Sequence, residues 1–104
     1  MIRNAFKMKL KPGMVEEYKK RHDEIWPELL KELTDAGISD YSIYFDEESL
    51  TLFAFQKLSD DNTADNLPNT DVVKKWWSYM ADLMETHPDS SPVVDPLREV
   101  FHMD

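Results

Sequence analysis

The first ten residues alternate between apolar and polar side chains. The apolar positions that share one face of an extended chain are Ile2, Phe6, Met8 and Leu10. Because successive side chains of a strand point to opposite faces, this period of two predicts a strand over residues 2–10 with one face in water. The sequence KPG at residues 11–13 then predicts a turn.

A helical period replaces the alternation after residue 13. The stripe on one helix face comprises Val15, Tyr18, His22, Ile25, Leu29 and Leu33. This spacing predicts a helix over residues 14–36, with Gly37 as its C-terminal stop. Pro27 interrupts the pattern, because it has no N–H and its ring opposes the carbonyl four residues earlier. We therefore expect the helix to kink or restart near Trp26.

Residues 38–58 return to a period of two on both sides of the polar sequence DEES at residues 46–49, which predicts a β-hairpin. The polar residues 59–69 leave room for a short helix, and Thr70 is suited to cap a second long helix. The apolar face of that helix holds Val73, Trp76, Trp77, Met80 and Met84. The stretch LREVF at residues 97–101 predicts a final strand.

The predicted elements follow the order βαββαβ in one domain over residues 1–104. This order is typical of the ferredoxin-like α+β fold, in which four antiparallel strands carry two helices on one face. The hairpin strands carry large apolar residues on both faces of the sheet, with Leu52 on one and Phe53 and Phe55 on the other. A sheet that met water on one side would not need the second set, so we expect a homodimer in which another copy covers it.

Composition narrows the possible partners. The chain has 12 basic and 21 acidic residues and a net charge of −9, which disfavours nucleic acid and anionic membranes. It has no cysteine, so disulfides and thiolate chemistry are excluded and a cytoplasmic location is expected. The three histidines lack metal-ligand spacing, and two glycines cannot build a phosphate-binding loop. We expect a neutral small-molecule ligand, with no metal and no cofactor.

His22 is the titratable member of the apolar helix stripe. The commoner explanation for such a histidine is an edge position with a backbone or side-chain partner. Tyr18 lies one turn before it and Trp26 one turn after it, so the three side chains can form a pocket wall of apolar rings with polar tips. No serine elbow motif is present, and acid–base chemistry by one histidine is the simplest catalysis that remains.

Trp76 and Trp77 pose a similar choice. Consecutive residues of a helix point about 100° apart, so the two indoles must have different surroundings and different roles. Core packing explains at least one of them, and the alternative is an indole that lines a cavity and stacks on the C–H face of a sugar. Tyr41, at the start of the second predicted strand, is either an ordinary strand aromatic or a hydroxyl that reaches the cavity.

Six stretches carry a resemblance to one known family. They are EEYKKRHDEIWPEL at 16–29, YSIY at 41–44, NTDVV at 69–73, WWSYM at 76–80, PDSSPV at 88–93 and EVF at 99–101. The chain resembles the L-rhamnose mutarotase family over essentially its whole length. The resemblance implies a dimeric α+β barrel that interconverts the α and β anomers of L-rhamnose. It also implies His22 as the proton donor, and as sugar contacts Tyr18, Tyr41, Trp76 and Trp77.

The chemistry of anomer exchange fits these residues. Opening the sugar ring requires a proton at the ring oxygen and the loss of one from the anomeric hydroxyl, and an imidazole with a pKa of about 6.5 can supply or accept a proton near neutral pH. Our hypothesis is that His22 donates to the ring oxygen, while the tyrosines hold hydroxyls and an indole faces the methyl group of a 6-deoxy sugar. Asp23 and Glu24 stand where we expect Asn-Pro in the family, and both point away from His22, so the base is left unassigned.

Two other functions stay open at this point. One is a cofactor-free monooxygenase or a haem-degrading enzyme on the same barrel, which would bind an electron-rich or coloured ligand. The other is a non-catalytic sugar-binding subunit, which would bind rhamnose and leave anomer exchange at its spontaneous rate.

Overall fold

A computed structural model describes residues 1–104. The strands are β1 (Ile2–Lys9), β2 (Ile38–Asp46), β3 (Thr51–Leu58) and β4 (Asp95–Pro96). The α-helices are α1 (Val15–Asp23), α2 (Pro27–Asp35) and α3 (Asp71–Met80), and short 3-10 helices span Ala64–Asn69 and Ala81–Leu83. None of these helices combines the length and apolar character that crossing a lipid bilayer requires.

The four strands form one antiparallel sheet in the order β2-β3-β1-β4. The register places Met8 opposite Leu52 and Phe6 opposite Ala54, so the even-numbered residues of β1 and β3 share one face. That face packs against the helices in a single hydrophobic core. The buried core residues are Met8, Leu10, Tyr18, Leu29, Leu52, Ala54, Val73, Trp76, Met80, Leu83 and Met84. The α+β class predicted from the order of elements is confirmed.

The helix predicted over residues 14–36 is two helices, and the break lies where the sequence placed it. Trp26 has extended backbone angles, φ −63° and ψ 130°, because a residue that precedes proline avoids the helical region. Pro27 then begins α2, at a position where a missing N–H removes no helical hydrogen bond. The N–H of Leu29 donates to the Trp26 carbonyl at 3.0 Å and closes the first turn.

The second long helix differs from its prediction at both ends. Thr70 occupies the N-cap position of α3, but its hydroxyl donates to the Leu67 carbonyl at 2.7 Å and does not cap the helix. The helix ends at Met80 and continues only as the 3-10 turn Ala81–Leu83. Met84 is buried as predicted, yet it pairs with Leu10 in an isolated β-bridge and is not part of a helix.

The final strand predicted at residues 97–101 is wrong. The strand that completes the sheet is Asp95–Pro96, which pairs with Lys7 and Phe6 of β1. The Leu97 N–H still donates to the Ala5 carbonyl at 2.9 Å, and beyond it residues 98–104 form no regular structure. No part of the chain covers the large side chains of this tail. Those side chains are Val100, Phe101 and Met103, each 78–82 % exposed.

The sheet face opposite the helices carries exposed aromatic residues. Tyr44 is 66 % exposed and Phe55 is 45 % exposed, and their rings meet edge to face with centroids 6.0 Å apart. The sequence placed Phe55 on this face, together with Phe53. The chain alone leaves this aromatic surface open to water.

Candidate active site

Tyr18 and His22 lie on one face of α1, since residues four apart in a helix are neighbours. Their ring centroids are 4.4 Å apart. The Nδ1 of His22 is 3.0 Å from the backbone carbonyl of Tyr18. Because a carbonyl oxygen only accepts, Nδ1–H is the donor, and in the neutral ring the lone pair is on Nε2. The helix therefore fixes both the tautomer and the orientation of the imidazole.

The polar tips of Tyr18 and His22 form no hydrogen bond within the chain. No buried side-chain nitrogen or oxygen in the structure lacks a hydrogen-bond partner. The Nε2 of His22 and the hydroxyl of Tyr18 have no partner within the chain, so neither atom is completely enclosed. The backbone partner expected for an ordinary edge histidine is present at Nδ1, while the second nitrogen remains free to meet a ligand.

Trp76 and Trp26 form the indole wall beside His22. The Trp76 ring stands edge to face against the imidazole, with centroids 5.3 Å apart, and against Trp26 at 5.1 Å. Trp76 is 9 % exposed, and its N–H has no partner in the chain and so is not completely enclosed, by the same reasoning. This indole packs in the core with its ring and leaves its single donor available at the site.

Tyr41 joins this group from the sheet. Its ring meets Phe6 edge to face at 6.5 Å, and 38 % of the residue is exposed. Desolvation around its hydroxyl nevertheless raises the pKa of Tyr41 to about 12. Burial also raises the pKa of Tyr18 far above its ordinary value, and the proximity of Tyr41 raises it further. Both phenols therefore keep their protons at neutral pH and can donate hydrogen bonds.

The surroundings of His22 lower its pKa below the ordinary 6.5. Desolvation by burial is the main cause, and it outweighs the hydrogen bond to the Tyr18 carbonyl and the charge of Asp23, which both act in the opposite direction. At pH 7 the neutral imidazole with a basic Nε2 predominates. An imidazolium formed here would be a stronger acid than a solvated one.

The helix α3 directs Trp77 elsewhere. Trp77 lines an open cleft of about 700 Å³ together with Lys74, His87 and Asp89, and makes no ring contact with Tyr18, His22 or Trp76. Its ring points about 100° from that of its neighbour, as the helix requires. The structure thus brings Tyr18, His22, Tyr41 and Trp76 to one side of the core and leaves Trp77 on another.

Comparison with known proteins assigns the chain to a family. Residues 3–103 match the family model described as L-rhamnose mutarotase. The chain belongs to the L-rhamnose mutarotase family. Its relatives include the L-rhamnose mutarotases of Bacteroides thetaiotaomicron, 60 % identical, and Phocaeicola vulgatus, 56 % identical, each over all of both chains. The crystal structure of the L-rhamnose mutarotase from Formosa agariphila, 56 % identical, superimposes over all of both chains with a TM-score of 0.93.

Sequence reasoning missed one ring of this aromatic group. Tyr79 stacks on Trp26 with centroids 5.5 Å apart and an interplanar angle of 28°, and it also touches Trp76 at 5.8 Å. The available signal was its position three residues after Trp76 on α3, which places both residues on neighbouring parts of one helix face. Tyr79 therefore packs against both indoles.

The acidic neighbours of His22 are engaged or turned outward, as their positions on the helix predict. Asp23 accepts a hydrogen bond from Lys19 at 2.8 Å, and Glu24 is exposed at the end of α1. No cluster of three or more histidine and carboxylate side chains has an arrangement that could hold a metal ion. His22 is the titratable group whose ring contacts both Tyr18 and Trp76.

Proposed function

We propose that this chain interconverts the α and β anomers of L-rhamnopyranose, as an isomerase of the aldose 1-epimerase type. Membership of the L-rhamnose mutarotase family supports the reaction and the sugar. The observation that carries the mechanism is the state of the His22 ring. One nitrogen is fixed by the Tyr18 carbonyl and the other has no partner within the chain, while the Tyr18 ring and the Trp76 indole contact the imidazole.

Both proton transfers of the reaction can pass through Nε2 of His22. The neutral ring takes the proton of the anomeric hydroxyl as the bond between the anomeric carbon and the ring oxygen breaks. The imidazolium then donates that proton to the former ring oxygen, which becomes a hydroxyl and leaves an open-chain aldehyde. Because both oxygens were bonded to the same carbon, one nitrogen can serve both. Rotation about the neighbouring C–C bond and the reverse transfers close the ring as the other anomer.

The neighbouring side chains would bind and orient the sugar. Tyr18 and Tyr41 stay protonated at neutral pH and would donate hydrogen bonds to sugar hydroxyls. The part of the Trp76 indole that the core does not cover would face the methyl group of a 6-deoxy sugar, a difference worth roughly 1–3 kcal/mol of discrimination. The sugar contact predicted for Trp77 stays a prediction, and its ring lines the open cleft that contains Lys74 and His87.

We further propose the ferredoxin-like, dimeric α+β barrel as the assembled form. The strand order β2-β3-β1-β4 supports the ferredoxin-like arrangement, and the exposed rings of Tyr44 and Phe55 support a second copy against the outer sheet face. A solution mass of twice 12.3 kDa by light scattering is expected, and a mass of 12.3 kDa at micromolar concentration would contradict the dimer. The cytoplasmic location stays a prediction from the cysteine-free sequence.

Exchange spectroscopy on L-rhamnose tests the proposed reaction. Saturating the anomeric proton of one anomer should transfer saturation to the other at a rate that rises in proportion to added protein. Binding of rhamnose without faster exchange would instead indicate a non-catalytic sugar-binding subunit. A coloured complex on titration with haem, with no effect on rhamnose, would favour the haem-degrading alternative.

A further inference from the structure

Arg21 makes every side-chain hydrogen bond between α1 and the rest of the chain. Its guanidinium donates to both carboxylate oxygens of Asp82, at 2.9 and 3.3 Å, and to the backbone carbonyl of Tyr79 at 2.6 Å. Its Nε donates to Glu17 within α1 at 2.8 Å. The other side-chain hydrogen bonds of this helix, from Lys19 and His22, end within α1 itself.

This fork differs from an ordinary surface ion pair. The Arg21 side chain is only 13 % exposed, and its planar group bridges two helices at once. The hydrogen bond from Arg21 lowers the pKa of Asp82, as expected for a close pair of opposite charges. Forked arginine–carboxylate pairs restrict orientation as well as distance. Arg21 therefore sets how α1 sits against the end of α3.

The helix α1 needs such a restraint. It has nine residues, and an isolated helix of that length is marginal in water. The break at residues 24–26 separates it from α2, so α2 does not hold it by continuity. The position of His22, the next residue after Arg21, thus depends on the contacts that α1 makes with other elements.

Arg21 also reaches the indole wall through Tyr79. Its guanidinium carbon lies 4.4 Å from the centroid of the Tyr79 ring, a cation–π geometry. Tyr79 stacks on Trp26 and touches Trp76, and Trp76 stands against His22. Arg21 thus connects α1, which carries His22, to the aromatic rings on the Trp76 side of the imidazole.

We infer that Arg21 is a positioning residue for the proposed anomer exchange, which locks α1 to α3 and holds the Tyr79–Trp26–Trp76 stack against His22. The inference rests on the proposed function for its effect on rate, and on geometry alone for its effect on the stack. Because a misplacement of about 1 Å can lower a rate on the order of 100-fold, loss of this restraint should act on catalysis more than on sugar affinity.

The test compares Arg21→Met with a matched control on the same helix. Lys19→Met removes an exposed ion pair to Asp23 that does not leave α1. At a temperature where every variant is folded, Arg21→Met should lower kcat roughly 10- to 100-fold with KM changed far less. It should also alter the near-ultraviolet circular dichroism of the stacked rings. Lys19→Met should retain both kcat and the spectrum, and Arg21→Lys should recover part of the lost kcat.

If Arg21→Met does not fold, Asp82→Asn tests the same inference from the other side of the ion pair. Asp82 is 65 % exposed, so the neutral amide should leave the fold intact while weakening the fork. It should shift kcat and the spectrum in the same directions by a smaller factor. A wild-type kcat, or a wild-type spectrum, in the folded variant that is measured would overturn the inference.

The wild-type protein separates this inference from the proposed function. If the wild type accelerates anomer exchange and the Arg21 and Asp82 variants match it, the inference alone fails. If the wild type leaves exchange at the spontaneous rate, the proposed function fails. The near-ultraviolet spectrum of the variants then still decides whether Arg21 holds the aromatic stack.

Discussion

Two histidine–tryptophan pairs lie on this chain, and α3 contributes one indole to each. His22 and Trp76 meet edge to face at 5.3 Å, and the Tyr18 carbonyl fixes the Nδ1 side of the imidazole. His87 and Trp77 line the open cleft of about 700 Å³, where His87 is exposed to solvent. The residue types are the same, and the difference lies in what surrounds them.

That difference explains why one pair is suited to proton transfer. The His22 ring has a defined tautomer, a pKa lowered by burial, and one free nitrogen among groups that could hold a ligand. The exposed ring of His87 lacks a backbone carbonyl to fix it and an aromatic wall to exclude water. A histidine becomes an effective acid–base group when its orientation is set and water is partly removed around it.

Replacing the two histidines in turn should give the largest contrast. His22→Ala should reduce the enzymatic rate of anomer exchange by roughly 10²–10⁴-fold, the usual contribution of a positioned acid–base group. His87→Ala should stay within about twofold of the wild type, as exposed substitutions usually do. Saturation-transfer NMR measures both rates, and circular dichroism verifies the folds. An unimpaired rate in folded His22→Ala would remove this residue from the mechanism.

Replacing each of the two indoles should lower the free energy of unfolding by different amounts. Trp76 is 9 % exposed in the core, so Trp76→Ala should lower the free energy of unfolding by about 3–5 kcal/mol. Trp77 is only half-buried at the cleft, and Trp77→Ala should cost about 1–2 kcal/mol. Urea denaturation followed by circular dichroism gives both values. Equal losses would show that the two rings are equally buried in solution.

The two histidine–tryptophan pairs also show which features of the site local sequence patterns can predict. The pattern placed Tyr18 and His22 on one helix face and located the break before Pro27, because both depend on residues a few positions apart. It gave the angle between Trp76 and Trp77 but not which indole faces the imidazole, since that depends on how α3 packs across the chain. Tyr79 and Arg21 were missed for the same reason.

The C-terminal tail also shows that a local pattern cannot predict a contact with a distant part of the chain. Residues 97–101 do not form the predicted strand, because a strand also requires a neighbouring strand with free hydrogen-bonding groups. The chain supplies one only for Asp95–Pro96 and the N–H of Leu97. The local pattern assigns no role to Arg21, because only the position of Asp82, 61 residues later, makes it a bridge.

Acidification should lower activity through protonation of His22. Because burial lowers the pKa of His22 below 6.5 and the neutral ring begins the proposed reaction, kcat/KM should be flat near pH 7. It should fall about tenfold per pH unit below the lowered pKa. Tyr41, with a pKa of about 12, should cause no fall in kcat/KM as the pH rises slightly above neutral. Activity that rises on acidification would contradict a neutral His22 as the starting form.

The lowered pKa of His22 also makes the stability of the fold depend on pH. The unfolded chain binds a proton at His22 near pH 6.5, whereas the folded chain binds it only at lower pH. The stabilising contribution of neutral His22 is therefore complete above pH 6.5 and is lost as the pH falls through the folded value. Comparing urea unfolding of the wild type and His22→Ala across this range isolates the contribution, and parallel curves would contradict the lowered pKa.

The smallest effect should come from the hydroxyl of Tyr18. Tyr18→Phe keeps the backbone carbonyl that fixes His22 and keeps the ring packed beside it, so the proton transfer should change little. It removes one hydrogen bond to the sugar, worth about 0.5–1.5 kcal/mol, which corresponds to a KM raised roughly 2- to 12-fold. Tyr44→Phe, on the exposed outer face of the sheet, is the matched control and should leave KM unchanged. A fall in kcat at constant KM in Tyr18→Phe would instead mean that this hydroxyl acts mainly on the transition state.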